Sequence, residues 1–172
     1  GIDLFPLFPP KIFLRKPNFY KKNCMNIFVV PGSAGSDFLN EILKKINEVY
    51  EKTKIQFVAP KFYGLSAPNL TEIDGNKGLY DYFYFSDLVI SAAGNTMLEA
   101  LYLKAKLFVF CTNQNQLTLV NYLEGRKLLK HITKLDQITN EFILESLHFT
   151  NQEKRKSLEI EFSYDRLIRM IL

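Results

Sequence analysis

The sequence has no tryptophan, only two cysteines and two histidines, and no long apolar run, and each absence removes a class of function. Cys24 and Cys111 lie far apart with no C-x-x-C spacing and no histidine at metal-ligand distance, so they read as reduced thiols of a cytoplasmic protein. Neither a disulfide framework nor a metal site is expected, and no cofactor is implied. Lys104 and Lys106 interrupt the longest apolar stretch before it reaches the roughly 18 residues of a membrane span. Charge of one sign is missing too: 22 basic against 18 acidic residues leave a net +4, which offers no dedicated nucleic-acid surface. There is no repeat and no low-complexity tract. What remains is an ordinary globular composition, 47% hydrophobic, whose core draws on 15 Phe and 9 Tyr. In 172 residues this suits one good core with appendages.

The chain is organised around Asp87-Leu88-Val89-Ile90-Ser91-Ala92-Ala93-Gly94-Asn95-Thr96-Met97-Leu98-Glu99-Ala100. It opens as a wholly apolar run suited to a strand buried on both faces, breaks at small residues, then resumes with helical spacing at Met97, Ala100 and Leu101. A strand, a tight turn and a helix are predicted. In an open α/β sheet such a turn lies where ligands bind, and the helix start offers free N–H groups to an anion. A second reading competes with this one. Thr96-Met97-Leu98-Glu99 fits the S/T-x-x-E capping box, with Thr96 as the cap and Glu99 reaching back to it.

Taken in order, the segment up to Phe19 carries Pro6, Pro9, Pro10 and Pro17 and reads as an extended linker, with one short strand at Ile12–Arg15. Asn26–Val30 is a strand, followed by the small-residue turn Pro31-Gly32-Ser33-Ala34-Gly35-Ser36. Asp37 then caps a helix whose apolar positions Leu39, Ile42, Leu43, Ile46 and Val49 follow helical spacing. Ile55–Ala59 is the second strand, Pro60–Gly78 a long loop, and Leu79–Phe85 a short aromatic helix. Strands at Leu88–Ser91 and Leu107–Phe110 follow, the latter ending in the polar run Thr112-Asn113-Gln114-Asn115-Gln116. A helix over Leu117–Glu124 stops at Gly125, read as a C′ glycine, before an edge strand at Leu128–Ile132. Asp136–His148 and Glu153–Met170 are helical. This alternation implies a Rossmann-like parallel sheet with helices on both faces, its loops at Pro31, Ala92 and Thr112 on one rim. The domain layout is a linker or interdomain segment at 1–24, an α/β domain at 25–150 and a C-terminal helical extension at 151–172.

The pattern D-x-x-I-S-x-x-G-x-T-x-x-E from Asp87 to Glu99 resembles the nucleotide-binding half of the two-Rossmann-domain glycosyltransferase fold, as in the lipid II-forming N-acetylglucosaminyltransferase. It is more similar still to the UDP-sugar hydrolases of pseudaminic acid biosynthesis. Those place an L-R-P-E-F-like segment before a strand ending in G-G-S-D, and an N-Q pair after the next strand. Here the counterparts are Leu14-Arg15-Lys16-Pro17-Asn18-Phe19, Gly32-Ser33-Ala34-Gly35-Ser36-Asp37 and Asn115-Gln116. Ala93 replaces the first glycine of the usual pair, and Lys104 and Lys106 stand where the family has Gly and Pro.

By that resemblance the ligand is a UDP-sugar. Gly94, Asn95 and Thr96 hold the diphosphate, with Ser33 approaching from the first turn, and Glu99 accepts the ribose hydroxyls. Asn76 and Leu79 line the uracil pocket, and Asn115 and Gln116 reach the sugar. The family's general base is a histidine in the N-terminal domain, and His131 and His148 match no family position, so the catalytic residues stay unknown. A chain opening at Gly1 is expected to be a fragment whose partner is a missing N-terminal domain or a partner subunit. A subunit of a glycosyltransferase and a non-catalytic α/β binding domain remain as alternatives.

Overall fold

The computed structural model describes residues 24–34, 36–49, 53–58, 67–75 and 78–148. The strand expected at Ile12–Arg15, the segment Leu14–Phe19, Gly35, Asn76 and the helices expected over Glu153–Met170 lie outside them. In chain order the elements are β1 (Met25–Val30), α1 (Ser36–Val49), β2 (Thr53–Val58), β3 (Leu70–Ile73), α2 (Tyr80–Phe85) and β4 (Leu88–Ala92). Then come α3 (Asn95–Tyr102), β5 (Leu107–Phe110), α4 (Leu117–Gly125), β6 (Lys130–His131) and α5 (Asn140–His148). Single 3₁₀ turns at Gly32–Ala34, Gln114–Gln116 and Leu135–Gln137 precede α1, α4 and α5.

The six strands form one sheet in the order β3-β2-β1-β4-β5-β6, and every pairing is parallel. A parallel sheet buries both faces, which is why β1, β4 and β5 are buried at every position and apolar at all but Asn26 and Ser91. One face packs Ile27, Val29, Ile55 and Ile90 against Leu39, Ile42, Leu43 and Ile46 of α1 and Ile143 of α5. The other packs Phe28, Val89 and Val109 against Phe83 of α2, Met97 and Leu101 of α3 and Val120 of α4. Each such side chain contributes about 1.5–3 kcal/mol on full burial, so the alternation of strand and helix is held from both sides.

Four expectations are corrected. The loop assigned to Pro60–Gly78 contains β3, an edge strand whose LTEI sequence buries no residue fully and so carries no strong apolar signal. Helix α1 begins at Ser36, which makes Asp37 a first-turn residue rather than the cap. Gly125 is the last residue of α4, and the left-handed position after the helix falls on Lys127, with φ 58°. The helix expected from Asp136 starts at Asn140, behind the Leu135–Gln137 turn.

Candidate functional site

All strands being parallel, the ends of β1, β4 and β5 lie on one rim, with the turns after them side by side in sheet order. The chain runs outward from β1 to β3, then returns to β4 and runs outward the other way to β6. The reversal falls between β1 and β4, and in such sheets the crevice outside the carboxyl ends of the two strands is where ligands bind.

Two glycines shape that crevice. Gly32 begins the turn after β1 with φ 58°, and a Cβ there would stand 3.2 Å from the Ala92 Cβ at the end of β4, so glycine lets the two turns lie close without either giving way. Gly94 has φ 145° and ψ −156°, a region essentially closed to residues with a Cβ, although open space surrounds it. The conformation is therefore imposed by the turn and not by crowding. It joins β4 to α3 in two residues, Ala93 and Gly94.

Gly94 is the N-cap of α3, and no side chain caps the helix. The competing capping-box reading is thereby overturned: Thr96 is the second helical residue, and Glu99 is too far along to reach back to the cap. The physical reason is the sharpness of the turn, which demands glycine where a Thr cap would have to sit. The first backbone hydrogen bond of the helix runs from Leu98 N–H to Gly94 C=O at 3.2 Å. The preceding N–H groups of Asn95, Thr96 and Met97 have no intrahelical acceptor, and they carry the positive end of the helix dipole.

Thr96 and Glu99, three residues apart, share the side of α3 away from Met97, Ala100 and Leu101, which enter the core. Glu99 is half-buried, and burial pushes its carboxyl pKa up. Tyr80, at the start of α2, has its phenol raised by burial first and by the Glu99 carboxylate second. Leu79, the N-cap of α2, packs partly buried against the same core. The start of α2 and the exposed side of α3 thus flank one region.

The third loop is pinned to the second by Gln116. Its side-chain oxygen accepts the N–H groups of Thr112 at 2.8 Å and Asn113 at 3.3 Å and the Thr112 hydroxyl at 3.2 Å. Its amide nitrogen donates to the Ala93 carbonyl at 2.8 Å. Asn115 beside it is exposed. Ser33 lies in the turn after β1. Among the described site residues, the fold therefore brings Ser33, Gly94, Asn95, Thr96, Asn115 and Gln116 to one rim, with Leu79 and Glu99 along its flank.

The sequence reading overlooked Tyr80 and Thr112. The signal for Thr112 is a T-x-x-x-Q spacing that recurs one strand later, where Gln137 accepts from Thr133 N–H at 2.7 Å and Lys134 N–H at 3.1 Å. Among the described residues no group of His, Cys, Asp and Glu is placed to hold a metal, and no helix is long and apolar enough to cross a membrane.

Fold and rim together define a Rossmann-like α/β domain of the kind that forms half of a GT-B glycosyltransferase. The spinosyn rhamnosyltransferase SpnG, solved with thymidine diphosphate, superposes with a TM-score of 0.63 at 14% identity over 78% of this chain and 40% of its own. The spinosyn forosaminyltransferase SpnP gives 0.63 at 12% identity over 87% and 44%, and the glycosyltransferase SnogD from Streptomyces nogalater gives 0.51 at 14% over 84% and 44%. The chain thus spans 40–44% of the length of these enzymes. No protein-family model and no curated protein sequence matches it.

Proposed function

We propose that the chain is the nucleotide-sugar-binding part of a glycosyltransferase-fold enzyme, and that its ligand is a UDP-sugar. The observation that carries this reading is the uncapped start of α3 behind Gly94, at the reversal of strand order. Free N–H groups there suit a diphosphate, bound by the backbone of Gly94, Asn95 and Thr96 and the Thr96 hydroxyl, with Ser33 approaching from the β1 turn. A diphosphate leaves the ribose one helical turn away, within reach of Glu99, whose two oxygens can each accept a hydroxyl. Leu79, with Asn76, borders the base, and the exposed Asn115 faces the sugar.

Transfer and hydrolysis use this donor pocket alike and differ in whether a sugar hydroxyl or water attacks the anomeric carbon. The fold relatives named above as transferases support transfer. The pseudaminic acid hydrolase reading rests on the sequence resemblance alone. In either case the acceptor side and the catalytic base come from an N-terminal domain or partner subunit.

Calorimetric titration of the chain with UDP, TDP, CMP and ADP tests the proposal. The pyrimidine diphosphates should bind more tightly than CMP or ADP. Equal affinity for all four, or none for UDP, removes the assignment and favours a binding domain of another kind.

A further inference from the structure

We infer that Gln116 is a positioning residue for the diphosphate turn, acting through its oxygen and one N–H, an inference that deepens the nucleotide-site reading and rests on it. A glutamine amide offers two acceptor lone pairs and two N–H donors. The Gln116 oxygen faces three donors, the N–H groups of Thr112 and Asn113 and the Thr112 hydroxyl, at 2.8–3.3 Å, so its acceptor capacity is spent. One N–H is spent on the Ala93 carbonyl at 2.8 Å. Turning the amide over would set its NH₂ against two backbone N–H groups and its oxygen against a carbonyl, so the chemistry fixes which end is which.

The target of that N–H matters most. Ala93 N–H, in the Ala92–Ala93 peptide, already donates to the Phe110 carbonyl at 2.9 Å, so the Gln116 bond to the Ala93 carbonyl ties the next peptide unit, Ala93–Gly94, to the β5 side as well. The following residue is Gly94, whose carbonyl receives the first hydrogen bond of α3. Gly94, held at φ 145°, is clamped between these two fixed points, and the direction of the open N–H groups beyond it is set by the clamp. Gln137 makes the same contacts within its own loop to Thr133 and Lys134. The T-x-x-x-Q turn is thus a local device, and the bond to Ala93 is what converts it into a link between the second and third loops.

The test compares Gln116→Met with Gln137→Met in the full chain, titrating each with UDP and with UDP-N-acetylglucosamine and following amide exchange at Ala93 and Leu98. Gln116→Met should weaken both ligands by the same factor, roughly tenfold, and speed exchange at Ala93 and Leu98. Gln137→Met should leave both ligands and both amides unchanged. Weakening of the nucleotide sugar alone would make Gln116 a sugar contact and overturn the inference, as would unchanged affinity for both. Exchange needs no ligand, so a wild-type chain that binds neither nucleotide removes the proposed function while unchanged exchange removes the clamp. If Gln116→Met does not fold, Gln116→Glu keeps the acceptor for Thr112 and Asn113 but cannot donate to Ala93 once ionised. The same exchange and affinity pattern is then expected of it.

Discussion

At the scale of single residues, Glu99 carries the most specific claim, and its environment lets stability and binding be read apart. Burial raises its carboxyl above the ordinary value of 4.5, so between that value and the raised one the folded chain binds more protons than the unfolded chain. Stability then falls as pH rises through this window, and the cost of the half-buried charge persists above it. Glu99→Gln removes the charge, and Gly94 already occupies the cap position, so no capping contact is lost. The variant should therefore melt slightly above the wild type at neutral pH, with the difference vanishing below the ordinary carboxylate range. UDP binding should move the other way. A hydrogen bond to a charged acceptor is worth about 1.5–3 kcal/mol, so affinity at neutral pH should drop roughly ten- to a hundredfold. The terminal phosphate of UDP titrates at about 6 against both proteins, so the readout is the ratio of wild-type to Glu99→Gln affinity, which should fall on acidification at a pH above that of an ordinary carboxylate. Calorimetry and thermal melts across pH check both. Unchanged UDP affinity in a folded Glu99→Gln would remove the ribose role.

At the scale of elements, helices α3 and α4 end alike. After each, a lysine takes the left-handed conformation, Lys104 at φ 60° and Lys127 at φ 58°. Lys104 N–H donates to Leu101 C=O and Ala105 N–H to Ala100 C=O, both at 2.9 Å; Lys127 and Leu128 repeat the pattern with Glu124 at 2.7 Å and Leu123 at 3.0 Å. This is the Schellman ending, in which glycine is the usual residue, the one the resembled family has at the position of Lys104. The left-handed conformation costs an L-residue about 1–2 kcal/mol, and glycine returns about 0.4–1 kcal/mol of that through its freer unfolded state. Lys127→Gly should thus gain roughly 0.5–1 kcal/mol and raise Tm by roughly 1–4 °C, while Lys127→Ala should not, since alanine keeps the Cβ. Thermal melts of the two variants decide this. The same elements show what the sequence made legible. β1, β4 and β5 are fully buried, so their apolar runs announced them, and parallel order followed from the helices between. β3 escaped because an edge strand with two exposed residues needs no apolar pattern. Gly94 and Glu99 stood out as residue types suited to a ligand, but which residue caps α3 depends on a backbone angle no composition encodes. Gln116 was legible as a polar group on the rim. Its clamp on Ala93 was not, because the partner lies on another loop.

At the scale of the whole molecule, the two ends of the sheet's strands do different work, and the central motif runs from one end to the other. Its last residue, Glu99, flanks the rim. Its first, Asp87, precedes β4 at the opposite end of the strands, where its Oδ2 accepts the Asn26 backbone N–H at 2.7 Å and the Asn26 side-chain amide at 3.1 Å. Asp87 N–H donates in turn to the Asn26 carbonyl at 2.8 Å. These bonds close the start of the β1–β4 pairing, which joins the β3-β2-β1 half of the sheet to the β4-β5-β6 half. Asn26 is completely buried, so water does not readily replace a lost partner there. Asp87→Ala should cost about 1.5–3 kcal/mol, the range for hydrogen bonds to a charged group, and lower Tm by roughly 3–12 °C. Both hydrophobic clusters cross the β1–β4 seam, with Ile27 and Ile90 on one face and Phe28 and Val89 on the other, so the loss should appear as one cooperative transition shifted downward. UDP affinity, measured well below the lowered Tm, should equal that of the wild type, because the substitution lies a full strand length from the rim. Glu99→Gln and Asp87→Ala then form an opposed pair, one changing affinity with little change in stability and the other the reverse. A folded Asp87→Ala chain with weakened UDP binding would show that the two ends are coupled through β4, and would refute their separation into a structural end and a ligand rim.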